Sequence, residues 1–224
     1  MPDDSIPTKG ARTRERIRSA ALTSFRERGY DATTIRQIAD ELDLSVGATN
    51  YHFASKNHLI QELYVDVQDA HRAAALPLLE RETRLIDRLR IVYSTGLDQL
   101  MPYHDHAGEF LSAAVSPRSP INPLSTESAE ALAIVEGLFE EAIAGSTGSG
   151  LTDDLRALLP RALVLAHLLL ALFWVYDTSE GQRRTRKLLE GGLKLLGSLL
   201  PLARLPMLRR SVRNVLSLVS EVRA

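Results

Sequence analysis

Residues 33–56, TTIRQIADELDLSVGATNYHFASK, place the strongest constraint on the fold, because they read as two short helices joined by a tight turn. Thr34 and Gln37 have the spacing of a capping box at the start of the first helix. Apolar residues then recur at helical spacing at Ile35, Ile38, Ala39 and Leu42. Asp43 falls at the turn and tolerates a left-handed backbone, and Ser45 is a good cap for the second helix. The segment predicts a helix-turn-helix.

The second of these helices has the side chains expected of a DNA-reading element. In a helix-turn-helix, the second helix enters the major groove while the first crosses the backbone. Gly47 and Ala48 let the helix approach the groove, and Asn50 can bond adenine N6 and N7. Tyr51 can reach a phosphate or a thymine methyl, and His52 can reach a phosphate, although either ring can instead pack inside the domain.

Charge is strongly segregated along the chain, although the net charge is only −1. Residues 9–28 hold seven basic and two acidic side chains. Residues 61–178 hold eight basic and seventeen acidic side chains, whereas the tail from Ser179 holds ten basic and three acidic ones. A basic run is often only a solvated helix face, but directly before a helix-turn-helix it predicts phosphate contacts. We therefore expect DNA contacts from Arg12, Arg14, Thr34, Arg36, Ser45, Val46, Gly47, Ala48, Asn50, Tyr51, His52 and Lys56.

The pattern T-x-x-x-I-A-x-x-x-x-x-S-x-G-x-x-x-Y-H-F-x-S-K-x-x-L, which runs from Thr34 to Leu59, resembles the N-terminal domain of TetR/AcrR-type transcriptional regulators. The resemblance covers roughly residues 12–63. It implies a DNA-binding regulator, expected to be a repressor, whose helical C-terminal domain dimerises and binds a small effector. Many members carry tyrosine in place of Asn50 and lysine or arginine in place of Val46, so the details of operator contact do not carry over.

Helical spacing of leucine and alanine predicts an all-α protein. We expect a three-helix DNA-binding domain at residues 1–54 and a helical-bundle domain for effector binding and dimerisation at residues 55–224. The first expected helix spans 11–28 and is ended by Gly29, the two short helices follow, and the fourth starts at the Ser55 cap. The fifth spans 83–100, the sixth 103–116, and the seventh is capped by Ser125. Pro160 either kinks or starts the eighth, the ninth spans 180–200, and an amphipathic basic helix is expected at 208–222.

Composition excludes several classes of protein. The chain has no cysteine, which excludes disulfides and thiolate chemistry. Its N-terminus lacks the apolar stretch of a signal peptide. The longest apolar run, residues 162–176, is shorter than the roughly 20 residues needed to span a bilayer. We expect a cytoplasmic protein without a membrane segment.

Helix 8 is apolar nearly all round from Leu163 to Trp174, which predicts burial on most sides. We expect a homodimer formed through helices 8 and 9 that binds a palindromic, double-stranded operator. The expected lining of a pocket for a small, mostly apolar effector is Leu97, Met101, Phe110, Leu111, Phe139, His167 and Trp174. Two alternatives remain open: His167 is a satisfied core or interface residue, or the core is solidly packed without a cavity.

One rival constellation is His104, Asp105 and His106 with Glu109, because imidazoles and carboxylates suit several divalent metals. The spacing matches no known signature, so we expect neither a metal nor a cofactor. No Ser/His/Asp grouping, phosphate loop or carboxylate pair supports catalysis, and we expect that the protein is not an enzyme. The competing hypotheses are a metal-dependent helical enzyme and a helical interaction module without a DNA role.

Overall fold

A computed structural model of the chain describes residues 8–148 and 150–200, together with Asn214 and Ser217. Its α-helices are α1 (Lys9–Ala32), α2 (Ile35–Glu41), α3 (Val46–His52), α4 (Lys56–Leu79), α5 (Leu85–Leu100), α6 (Ala107–Ala114), α7 (Ala129–Ala144), α8 (Asp153–Val175) and α9 (Arg183–Leu199). Short 3-10 turns lie at Met101–His106, Thr126–Ser128 and Glu180–Gln182. The all-α prediction is confirmed, with no strand among these residues. The helix expected at 208–222 lies outside the described residues, apart from Asn214 and Ser217.

Several helix bounds differ from those expected. Helix α1 continues to Ala32, with a kink where Gly29 adopts φ 79°. The single helix expected over 103–116 is instead a 3-10 turn followed by α6, because His106 (φ −111°, ψ 3°) leaves the helical conformation. Helix α7 starts at Ala129 rather than after Ser125. Pro160 lies inside α8, which begins at Asp153, so it does not mark the start of the helix.

The chain divides into two compact units. The N-terminal unit contains the residues up to Tyr64 together with Pro102–Glu127, and the C-terminal unit contains Val65–Met101 together with the residues from Ser128 onward. This division differs from the boundary expected between residues 54 and 55. Helix α4 supplies residues to both units, and α6 belongs with the N-terminal helices.

The core of the N-terminal unit is the apolar face that the sequence predicts. Phe25, Ile38, Phe53 and Leu59 are all buried. The proline-rich segment 116–123 is tied to α4 of the same unit, because Gln61 Nε2 donates to the carbonyl of Pro120 (2.7 Å) and the Tyr64 hydroxyl donates to that of Ile121 (3.0 Å). Ile121 is itself 1% exposed. This segment is therefore irregular but anchored.

In the C-terminal unit, α5 packs against α7 and α9, and α7 and α9 both pack against α8. Its buried residues include Leu89, Val92, Leu138, Phe139 and Val164. Within the described residues, α8 is the one helix long and apolar enough to cross a membrane by length and composition. Core helices of soluble proteins meet the same two criteria. Only 39% of its most apolar window is buried by the described residues.

Candidate DNA-binding surface

The caps and the turn of the helix-turn-helix are those that the sequence predicts. Thr34 Oγ1 accepts a hydrogen bond from the backbone N–H of Gln37 (3.2 Å), which caps α2. Ser45 Oγ accepts from the N–H of Ala48 (3.1 Å), which caps α3. Asp43, in the turn, has φ 54°. Each cap satisfies an N–H that the first turn of a helix leaves free, so the sequence itself fixes where both helices begin.

The inner face of α3 is held firmly against the domain. Thr49 is completely buried, and its hydroxyl donates to the carbonyl of Ser45 (3.2 Å). Phe53, which ends the helix, is 2% exposed. The turn is closed by a hydrogen bond from the N–H of Leu44 to the carbonyl of Ala39 (2.9 Å), and Ala39 is completely buried beside the turn. The opposite face of α3 is therefore presented to solvent in a defined orientation.

That outer face consists of the residues expected to meet DNA. Val46, Gly47, Ala48 and Asn50 are exposed, and the side chain of Tyr51 is 86% exposed. Tyr51 therefore does not pack inside the domain. His52 is half-buried, with its ring edge-on to that of Tyr51 at a centroid distance of 5.2 Å. A large aromatic side chain held in solvent on a short, rigid helix is suited to contact with another molecule.

The expected phosphate contacts fall into two groups. Arg12 and Arg36 are exposed, and no ion pair joins either guanidinium to another described residue. Arg14 is engaged within the unit: it forms an ion pair with Glu62 and lies 4.8 Å from the ring centroid of Phe53. Glu62 also pairs with Arg18 at 3.2 Å. Part of the basic stripe on α1 is therefore neutralised within the unit.

Lys56 is occupied by the domain itself. Its ammonium donates to the backbone carbonyl of Tyr30 (2.9 Å) and lies 3.7 Å from the centroid of the Tyr30 ring. Burial lowers its pKa, while the nearby carboxylates of Asp31 and Glu109 act in the opposite direction. Within the described residues Lys56 joins the start of α4 to the end of α1, and its expected phosphate contact stays a prediction.

Two residues of the rival metal site, His106 and Glu109, have structural roles. Glu109 Oε2 accepts from the backbone N–H of Asp31 (2.9 Å), and Glu109 Oε1 lies 3.0 Å from His106 Nδ1. The hydrogen bond from Asp31, followed by the one with His106, lowers the pKa of Glu109. A Cβ at Gly29 would lie 2.5 Å from His106 Nδ1, so the glycine permits this close contact between α1 and α6. Across the described ranges, no group of three or more His, Cys, Asp or Glu is arranged to hold a metal.

The residues expected to line an effector pocket are not all brought together. Phe110 packs edge-on against Phe25 and Tyr30 in the N-terminal unit, at centroid distances of 6.0 and 5.9 Å, and Leu111 is half-buried in the same unit. The other five, in the C-terminal unit, are Leu97, Phe139, His167 and Trp174, all buried, and the half-buried Met101. A surface cleft of about 270 Å³ lies among residues of α4 and α7, and none of the seven lines it.

A polar cluster that the sequence did not reveal lies in the core of the C-terminal unit. The His167 ring stacks on those of His71 and Tyr93, at centroid distances of 5.9 and 6.1 Å. Both imidazoles lie close to Gly96, since a Cβ at that position would be 2.8 Å from His167 Cε1 and 3.0 Å from His71 Cε1. Burial, with His71 adding to it, lowers the pKa of His167 to about 3, and its Nδ1 has no hydrogen-bond partner among the described residues. His71 is better satisfied, because its Nε2 donates to the carbonyl of Val92 (2.8 Å).

Two family models match the chain. One, described as bacterial regulatory proteins of the tetR family, matches residues 17–63. The other, described as a tetracyclin repressor-like C-terminal domain, matches residues 88–218. The first covers the helix-turn-helix and the second more than half of the chain.

Similar sequences include transcriptional regulators. The chain is 29% identical over 101 residues to the HTH-type transcriptional repressor KstR2 of Mycolicibacterium smegmatis, a match covering 45% of this chain and 48% of the relative. It is 36% identical over 72 residues to the HTH-type transcriptional regulator UidR of Escherichia coli, covering 32% of this chain and 36% of the relative. The matched part thus spans half or less of the length of these curated relatives.

Solved structures with the same fold cover most of both chains. A TetR transcriptional regulator from Nitrosomonas europaea superposes with a TM-score of 0.60 at 18% identity, covering 82% of this chain and 97% of its own. BioQ, solved with its double-stranded DNA operator, has a TM-score of 0.55 at 22% identity, covering 80% and 96%. With the capped helix-turn-helix and the two family matches, these likenesses place the chain: it belongs to the tetR family of bacterial regulatory proteins.

Proposed function

We propose that this protein is a DNA-binding transcriptional repressor, controlled by a small effector rather than acting as an enzyme. The observation that carries the proposal is the exposed outer face of α3, held by the buried Thr49 and Phe53 beneath it. The relative KstR2 is named as a transcriptional repressor, which supports repression over activation. Its place of action is then the bacterial cytoplasm, where the DNA lies.

The proposed active form is a homodimer through α8 and α9. Leu169, Leu172, Phe173 and Tyr176 follow the i, i+3, i+4, i+7 spacing of one helix face and are 41–70% exposed. Leu188, Leu195 and Leu199 are 48–60% exposed on α9. No atom of the described residues lies within 4 Å of a Cβ built at Gly191 or Gly192 on the same helix, so a partner helix can approach closely. Two-fold association is the commonest way to cover such a surface.

A homodimer with one helix-turn-helix in each chain implies a palindromic operator. Two recognition helices related by a two-fold axis read two inverted half-sites, about 34–36 Å apart or a multiple of one DNA turn. Arg12 and Arg36 are exposed and form no ion pair with another described residue, so their guanidinium groups are suited to phosphates, which position the protein without selecting sequence.

The proposed effector site lies within the C-terminal unit, among Leu97, Met101, Phe139, His167 and Trp174. Apolar side chains with a few polar groups are the usual lining of a ligand site. The buried, unpartnered Nδ1 of His167 supports this location, because an unsatisfied polar atom costs about 1–3 kcal/mol that a hydrogen bond from a ligand would recover. A ligand that prefers one conformation of this unit can lower DNA affinity through α4, with an ordinary coupling of about 1–3 kcal/mol.

The decisive experiment is selection and sequencing of DNA fragments retained by the purified full-length protein, followed by sedimentation of the protein with and without the selected DNA. We expect fragments with an inverted repeat, bound by a dimer with strong salt dependence. Retention of no fragment above bulk DNA contradicts the DNA-binding role. A monomer at micromolar concentration that still binds the selected DNA contradicts only the dimer.

A further inference from the structure

The recognition helix α3 is unusual in its side-chain chemistry, since it runs Val-Gly-Ala-Thr-Asn-Tyr-His and contains no arginine, lysine, aspartate or glutamate. In the major groove, arginine and lysine pair with the O6 and N7 acceptors of guanine, and carboxylates accept from N4 of cytosine. The side chains that identify a G·C pair by charge are therefore missing from the element that enters the groove.

The hydroxyl groups of this helix are also engaged within the domain. Ser45 Oγ is the helix cap and accepts the N–H of Ala48 at 3.1 Å. Thr49 is 0% exposed, and its hydroxyl donates to the carbonyl of Ser45. These two residue types hydrogen-bond to several bases when they are free. Thr49 is therefore unavailable to a base, the Ser45 oxygen is engaged as an acceptor in the helix cap, and His52 is half-buried beside the ring of Tyr51.

The groups that remain on the outer face of α3 match the edges of adenine and thymine. Asn50 is exposed, and its amide forms no hydrogen bond with the described residues. A free amide of this kind bonds N6 and N7 of adenine in a bidentate pair, whereas exposed apolar groups pack on the C5-methyl of thymine. Val46 is 36% exposed and Tyr51 86%. Val46 and Asn50, four residues apart, have Cβ atoms about 5–6 Å apart on the same face.

We propose that α3 reads A·T base pairs: Asn50 binds adenine, and Val46 and Tyr51 contact the methyl groups of neighbouring thymines. The half-site of the operator then carries A·T pairs beneath α3, because a G·C pair there would face no charged side chain able to bind both O6 and N7 of guanine or to accept from N4 of cytosine. This inference rests on the proposed DNA-binding function and adds to it the chemistry of the bases. Arg12 and Arg36 supply affinity without affecting this choice.

The test uses selected operator duplexes with single-atom or single-group changes. Uracil in place of thymine removes only the C5-methyl, and 7-deazaadenine in place of adenine removes only the N7 acceptor. We expect uracil beneath Val46 or Tyr51 to weaken binding about fourfold per methyl, given the usual value of one buried carbon. We expect 7-deazaadenine beneath Asn50 to weaken binding about tenfold or more.

Matched variants assign each contact. Val46→Ala should abolish the effect of uracil at one position while leaving the effect of 7-deazaadenine. Asn50→Ala should abolish the effect of 7-deazaadenine while leaving the effect of uracil. Arg36→Ala is the control, because loss of a phosphate contact should weaken every duplex alike and preserve both sensitivities.

Two results overturn the inference while leaving the DNA-binding function intact. The first is a selected half-site in which the base pairs contacted by Asn50 and Val46, as located by the variants at these positions, are G·C pairs. The other is equal affinity for modified and unmodified duplexes. If the protein retains no particular sequence at all, the proposed function fails and this inference fails with it.

Discussion

The guanidinium group of Arg88 fills the space that a side chain at Gly145 would need, since a Cβ there would lie 2.6 Å from Arg88 Cζ. Arg88 is 5% exposed and donates to the carbonyls of Ala142 (2.7 Å), Glu141 (2.8 Å), Glu82 (2.6 Å) and Leu79. One buried cation thereby binds four carbonyls at and just beyond the C-terminal ends of α4 and α7.

The first prediction follows from this contact: Gly145→Ala will lower the free energy of unfolding by about 1–3 kcal/mol. The backbone is not the reason, because Gly145 has φ −75° and accepts any residue. The cost arises because Arg88 cannot move without releasing its carbonyls. The measurement is urea unfolding followed by circular dichroism.

Gly137→Ala is the matched control, because Gly137 is exposed within α7 and a Cβ there meets nothing within 4 Å. We expect it to stabilise the protein by up to about 1 kcal/mol, the difference in helix propensity. Equal effects of the two substitutions would contradict the role assigned to Arg88.

Local sequence determined the helix-turn-helix in detail. The caps at Thr34 and Ser45 and the left-handed Asp43 were predicted correctly, because each depends only on residues within four positions along the chain. The exposure of Tyr51 also followed from helical periodicity. Such features need no knowledge of the rest of the fold.

Long-range pairings were not predictable in the same way. The engagement of Lys56 by Tyr30 joins residues 26 positions apart, and the bond between Glu109 and Asp31 spans 78. The assignment of Phe110 to the N-terminal unit depends on the same α1–α6 packing. Burial of Arg88 was equally hidden, because an arginine in a helical pattern is normally expected at the surface.

The second prediction concerns His167 and acid stability. Burial lowers its pKa to about 3, whereas an unfolded histidine titrates near 6.5. Between these two pKa values His167 is protonated in the unfolded chain and neutral in the folded chain. The free energy of unfolding therefore falls as the pH drops from about 6.5, by up to about 1.4 kcal/mol per pH unit. His167→Leu should flatten this dependence by about one proton between pH 7 and 4.5. Equal slopes of unfolding free energy against pH for the wild type and His167→Leu would refute the prediction.

The third prediction concerns the buried carboxylate of Asp177. Burial of Asp177 raises its pKa. The hydrogen bonds that its carboxylate accepts from the hydroxyl and N–H groups of Ser179 and Thr185 together lower the pKa by more than burial raises it, so the net shift is downward. Its stabilising effect is present above the unfolded pKa near 4 and is lost as the pH falls below it. Asp177→Asn should destabilise the protein at pH 7, and its unfolding midpoint should converge on that of the wild type in acid. A constant difference between the unfolding midpoints of Asp177→Asn and the wild type at every pH would contradict the assignment.

The fourth prediction separates the two groups of arginines at the DNA-binding surface. Arg36→Ala should reduce the slope of log affinity against log salt by about 0.9, the value for one phosphate contact. Arg14→Ala should reduce it by less, because Glu62 already neutralises part of that charge. The measurement is fluorescence anisotropy of an operator duplex at several salt concentrations. Arg186→Ala, in the C-terminal unit and paired with Asp98 at 2.9 Å, is the control; a larger change for Arg14 than for Arg36 would contradict the role of Glu62.

The fifth prediction is that Leu195→Glu will produce a folded monomer with weak operator binding. Leu195 is 60% exposed on α9, beside the open Gly191 and Gly192, so the substitution costs the single chain little. In a two-fold interface the new carboxylate meets the same surface of the partner, which buries a like-charged pair. Sedimentation at micromolar concentration should show a monomer with an unchanged helical spectrum. Operator affinity should fall by about 10²-fold or more, because the second half-site is no longer bound as part of the same assembly.

Leu124→Glu is the matched control, since Leu124 is 58% exposed but lies in the N-terminal unit, and this variant should remain dimeric. A dimeric Leu195→Glu with wild-type operator affinity would place the association surface elsewhere than α9.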